Sequence, residues 1–103
     1  MKVKIDVSET GRPAGKLADA ELLFDESDGP LNGLKLVGFA VWQRHGTSEP
    51  RVTFPARRYT LSGAQRSYAL LRPAADNPGV AAAQNRLREL ILQALEECKA
   101  KAA

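Results

Sequence analysis

A single cysteine, Cys98, and a single histidine, His45, remove most arrangements for catalysis and metal binding at the outset. One cysteine can form neither an intrachain disulfide nor a cysteine-based zinc site. Long apolar runs are missing too. The opening Met1-Lys-Val-Lys-Ile-Asp6 alternates charge with apolar residues and lacks the core of a signal peptide. No later segment approaches the roughly 20 apolar residues that cross a bilayer, so the expectation is a cytoplasmic chain with no membrane contact. Acids are scarce in one place. Between Arg44 and Arg72 there are six arginines and one histidine against a single acid, Glu49. The first 33 residues hold seven acids against four bases, and the last 31 hold four of each. The net charge of +3 is therefore local to the middle of the chain. Positive charge gathered on one segment points to a polyanion as partner more strongly than a basic isoelectric point does.

At 103 residues the chain fits one small domain, too small for separate cofactor and substrate lobes. Val3, Ile5 and Val7 alternate with charged residues, as do Ala18, Ala20, Leu22 and Phe24 further on; both are half-buried strand patterns of period two. Leu34–Gln43 differs. Leu34, Leu36, Ala40 and Trp42 fall on one face, while Val37, Phe39 and Val41 make the other face apolar as well. Arg51–Phe54 reads as a short strand cut off by Pro55, Tyr59–Gly63 as the remainder of a loop, and Gln65–Leu71 as the last strand. Asn77-Pro78 opens a helix, with asparagine as cap and proline at the first helical position. Val80, Ala83, Leu87, Leu90, Ile91, Ala94, Leu95 and Cys98 then recur at three- and four-residue spacing, and the final Lys-Ala-Ala is expected to fray. The predicted fold class is α+β: a mainly antiparallel sheet of about five strands over residues 1–72, with one long C-terminal helix over 77–99 packed on one face. The second apolar face of Leu34–Gln43 then calls for cover, and a homodimer burying Val37, Phe39 and Trp42 is the simplest source.

Arg51-Val-Thr-Phe-Pro-Ala-Arg-Arg58 and Arg66-Ser-Tyr-Ala-Leu-Leu-Arg-Pro73 carry the candidate site. Arg57 and Arg58 are expected on a loop after Pro55, with Arg51, Arg66 and Arg72 on flanking strands. The planar guanidinium fork matches phosphate oxygens. Tyr59 and Tyr68 interleave with the arginines and offer stacking surfaces if the target is single-stranded. Arg86 and Arg88 either extend that surface or solubilise the helix beside Glu89. The competing reading is a solvated basic face whose arginines pair with Asp19, Glu21 or the acidic loop Asp25–Asp28. His45, with only Ser48 and Glu49 close by in sequence, reads as a turn residue rather than a catalytic base. Gly11–Gly15 fits neither phosphate-binding fingerprint. The acidic loop lacks the spacing of a calcium loop, so no cofactor and no metal are expected.

Phe54-Pro55-Ala56-Arg57-Arg58 resembles the Met-Pro-Ser-basic-basic signature of the SpoVG (stage V sporulation protein G) family. Tyr68-Ala-Leu-Leu-Arg-Pro73 sits where that family has a strand ending in His-Pro, and the helix containing Arg86–Ile91 follows at the matching distance. Lys16–Phe24 and Leu34–Gln43 are similar to its second and third strands. The resemblance implies a small dimeric bacterial protein that binds nucleic acid, DNA or RNA, and acts in regulation. The basic residues after the proline and the start of the last helix would form the contact surface. The alternative is a protein–protein interaction module that recruits a partner through an apolar sheet face or a free edge strand. Neither reading is enzymatic.

Overall fold

The computed structural model describes residues 1–8, 14–44, 46, 49–74 and 78–102. Four strands, β1 (Lys2–Val7), β2 (Lys16–Leu23), β3 (Lys35–Trp42) and β4 (Arg51–Thr53), form an antiparallel sheet in chain order. Two more, β5 (Ala56–Leu61) and β6 (Ala64–Ala69), form a separate antiparallel hairpin. The helix α1 (Pro78–Ala102) lies across the larger sheet, with its backbone approaching β1 and β4 at the two edges. The fold is α+β, as the alternation of patterns predicts, and the described residues form six strands in two sheets rather than about five in one. His45 and Asn77, expected in a turn and at a helix cap, lie outside the described residues.

One face of the sheet meets the helix. Ala18, Ala20 and Leu22 of β2, Phe39 and Val41 of β3, Val52 of β4 and Ile91 and Leu95 of α1 make the buried core. Val3, Ile5 and Leu87 pack around it. The apolar stripe of α1 narrows to these positions: Leu90, three residues from Leu87, is 45% exposed. The helix extends to Ala102, and its alanine- and glutamate-rich sequence is well suited to that. Asp25, expected in an acidic loop, caps a short 3-10 segment over Glu26–Leu31, accepting a hydrogen bond from the Ser27 amide at 2.9 Å.

A bulge redistributes the two apolar faces expected of β3. Between the pairs Ala20–Phe39 and Leu22–Leu36, two steps along β2 match three along β3. The extra residue is a β-bulge at Val37-Gly38, and Gly38 takes a φ of 106° there. A bulge shifts the alternation by one. Leu36 therefore joins Phe39 and Val41 toward the helix, while Val37 turns outward and is 50% exposed. An unbroken period of two would have put Leu36 and Phe39 on opposite sides. Phe39, expected at a subunit contact, is instead 1% exposed inside its own chain. The outward face carries Lys4, Asp6, Asp19 and Glu21 around Gly38, beside the exposed Val37.

The bulge has a second consequence. A Cβ built on Gly38 would stand 2.9 Å from the Pro55 Cβ, so the strand and the buried proline touch where a side chain would otherwise be. Gly33 has a similar φ of 90° with open space around it. Gly38→Ala carries both a backbone penalty of about 1–2 kcal/mol and a steric one of about 1–3 kcal/mol. Gly33→Ala carries only the first. Urea denaturation should show the Gly38 variant as the less stable of the two by at least about 1 kcal/mol; equal midpoints would remove the packing argument.

Candidate functional site

After Pro55 the chain leaves the sheet and forms the hairpin. Leu61 and Ala64 are joined by Ser62-Gly63, with φ values of 53° and 78°. A two-residue connection with both φ positive is the type I′ turn, whose twist suits a tight hairpin. At the base, the Leu70 amide donates to the Pro55 carbonyl at 2.9 Å. Every residue of β5 is exposed, and in β6 only Ala69 is partly covered. The hairpin is therefore an arm, and it contributes to a radius of gyration of 15.3 Å, against about 13 Å for a compact domain of this length.

This corrects the expectation that Arg57 and Arg58 sit on a loop. Both lie in β5, where successive side chains point to opposite faces. The register pairs Arg57 with Tyr68, Tyr59 with Arg66 and Arg58 with Ser67. Directly opposed residues share a face with Cβ atoms about 4.5–5.5 Å apart. Arg57, Tyr59, Arg66 and Tyr68 thus form a two-by-two chequer on one side of the arm. Arg58, with Thr60, Gln65 and Ser67, is on the other. The two tyrosine rings, diagonal neighbours, have centroids 5.7 Å apart at an interplanar angle of 53°, and each residue is 40% exposed.

The remaining expected site residues do not join the chequer. Arg51 is on β4, paired with Trp42. Arg72 borders an apolar groove of about 190 Å³ between Phe54, Leu71, Pro73 and Leu87. Arg86 is exposed on the helix. Arg88 is occupied: its guanidinium carbon lies 4.9 Å from the centroid of the Phe54 ring, and its Nη1 donates to Asn85 Oδ1 at 2.8 Å. Phe54 in turn meets Phe39 edge to face at 5.2 Å. Trp42 is also used internally, its Nε1 donating to Thr53 Oγ1 at 3.0 Å.

Four of the acids named as partners for the arginines, Asp19, Glu21, Asp25 and Asp28, are engaged elsewhere. Asp19 pairs with Lys16 at 2.6 Å and Glu21 with Lys35 at 3.5 Å. Asp25 and Asp28 take the Met1 ammonium at 2.7 and 3.1 Å. That ammonium, together with Ser27, holds the Asp25 carboxyl well below the usual carboxylate range. Among the described residues no ion pair involves an arginine. The described residues also contain no group of three or more His, Cys, Asp or Glu arranged to hold a metal ion. No described helix is long and apolar enough to cross a membrane.

The Ser62-Gly63 dipeptide was the available signal for the missed strand. Tyr59, Thr60 and Leu61 precede it with strand-favouring side chains, and a Ser-Gly pair between two such runs marks a hairpin turn. No protein-family profile, curated protein or solved structure matches this chain.

The two helix arginines should separate in stability. Arg88→Ala removes a guanidinium–ring contact of about 0.5–1 kcal/mol and uncovers Phe54. Arg86→Ala should stay within about 0.5 kcal/mol of the parent. Thermal unfolding of both variants checks this, and an unchanged melting temperature for Arg88→Ala would mean that the contact contributes nothing.

Proposed function

We propose that the chain is a small non-enzymatic nucleic-acid-binding protein that grips DNA or RNA phosphates through its arginine-bearing hairpin. The observation that carries this reading is the pairing of charges. Asp19, Glu21, Asp25, Asp28 and Glu96 of the body pair with lysines or the chain's amino group, while the hairpin arginines have no acidic partner among the described residues. Unpaired guanidinium groups on an exposed arm attract a polyanion and are free to form bidentate phosphate contacts. The resemblance to the SpoVG family supports the same reading, and a cytoplasmic regulatory role follows from that resemblance.

The interaction-module alternative draws on an apolar sheet face or a free edge strand. Lys4, Asp6, Asp19 and Glu21 beside Val37 make that face more polar than the alternation predicts, which favours the first reading. A homodimer implied by the resemblance would not include the buried Phe39 in its contact, and phosphate binding by the arm requires only one chain.

Binding should weaken with salt, since each neutralised phosphate releases counterions. Arg57→Ala/Arg66→Ala removes two contacts from one face and should flatten the slope of log affinity against log salt by roughly 1.4 to 1.8 units. Arg58→Ala, altered on the opposite face, should change the slope by less than roughly 0.3 units. Fluorescence anisotropy with labelled single-stranded and duplex oligonucleotides at several salt concentrations measures both. A wild-type chain that binds no polynucleotide at low salt would sink the proposal.

A further inference from the structure

We infer that the arm takes an unpaired strand, with two of its bases resting on Tyr59 and Tyr68 and their phosphates held by Arg66 and Arg57. This rests on the nucleic-acid reading and narrows it to a substrate class. The argument begins with what the rings can touch. Both tyrosines are 40% exposed on the arm, and among the described residues neither hydroxyl has a hydrogen-bond partner. An exposed aromatic face is complementary to the face of a base. In a duplex those faces are covered by neighbouring pairs, and only edges, sugars and phosphates remain accessible.

Spacing points the same way. Successive bases along a stacked strand lie about 3.4 Å apart. The ring centroids are 5.7 Å apart and tilted by 53°, so bases seated on both rings must be splayed out of their stack. An unpaired strand can splay at small cost, whereas a duplex would first have to be opened. The register supplies the charges: Arg66 is directly across from Tyr59, and Arg57 directly across from Tyr68. Each ring therefore has a guanidinium beside it on the same face, one base platform and one phosphate fork per nucleotide. The opposite face, with Arg58 among Thr60, Gln65 and Ser67, has no ring to offer.

A pure charge effect predicts the reverse preference, because a duplex presents phosphates more densely than a single strand. The test is a titration at fixed low salt of a twelve-nucleotide oligothymidylate, an oligouridylate of equal length and a twelve-pair mixed-sequence duplex. The wild-type chain should bind the single strands more tightly than the duplex. Tyr59→Leu and Tyr68→Leu should each lower single-strand affinity by about five- to a hundredfold while leaving the salt slope unchanged. Tyr59→Phe and Tyr68→Phe, which keep the ring, should stay within about threefold of the parent, since stacking needs the ring and not the hydroxyl. Should the leucine variants unfold the arm, irradiation of the wild-type complex with an oligomer carrying 5-iodouracil gives a second readout. Crosslinks mapped to Tyr59 or Tyr68 support the inference, and crosslinks mapped only elsewhere overturn it. Equal or tighter duplex binding, or leucine variants that fold and bind single strands normally, would also overturn it while leaving the phosphate-binding hairpin standing. Failure to bind any of the three polymers would remove both readings together.

Discussion

Much of this structure depends on the contact between Gly38 and Pro55. A residue with a side chain could neither hold a φ of 106° without strain nor let the proline approach so closely. The bulge that Gly38 permits turns Phe39 inward, where its ring meets Phe54. Pro55, lacking an amide hydrogen, ends the short β4 ladder at the point where the bulge receives it. From there the chain is free to leave the sheet. The core beneath the helix and the arm beyond the sheet thus share one small junction, with Arg88 closing over Phe54 from the helix side.

The division of charge follows the division of structure. In the body, acids and lysines sit close enough on neighbouring strands, or within one strand, to pair: Lys16 with Asp19, Lys35 with Glu21. Surface pairs of this kind contribute little stability, typically below about 1 kcal/mol each. Their effect here is on availability, because they commit Asp19 and Glu21 to the body and leave the arm positive. The arm itself buries almost nothing. A two-stranded hairpin exposed on both faces is marginal by itself in water, and this one is tied at its base by the Leu70–Pro55 hydrogen bond and along one face by the Tyr59–Tyr68 contact. A ligand laid on that face would add the packing layer the hairpin lacks.

The sequence by itself determined the elements that depend on local pattern. Alternation in Lys2–Val7 and Lys16–Leu23 and the four-residue spacing of Leu87, Ile91 and Leu95 specify strands, helix and α+β class, because side-chain period follows directly from backbone geometry. The segregation of arginine between Arg44 and Arg72 was legible in the same way, since charge is a property of composition. Tertiary structure alone decided the rest. Whether Leu36 and Phe39 share a face depended on one extra residue at the bulge, which only pairing with β2 reveals. Whether Arg57 and Arg58 act together depended on β5 forming at all, and the strand separates two adjacent arginines onto opposite sides while bringing Arg57 beside Tyr68, eleven positions away, through the register. Whether Arg88 was available depended on Phe54 arriving beneath it. Local pattern fixes which way a side chain points within its own element, but a partner is set by register and packing between elements, and the chequer of arginine and tyrosine exists only there.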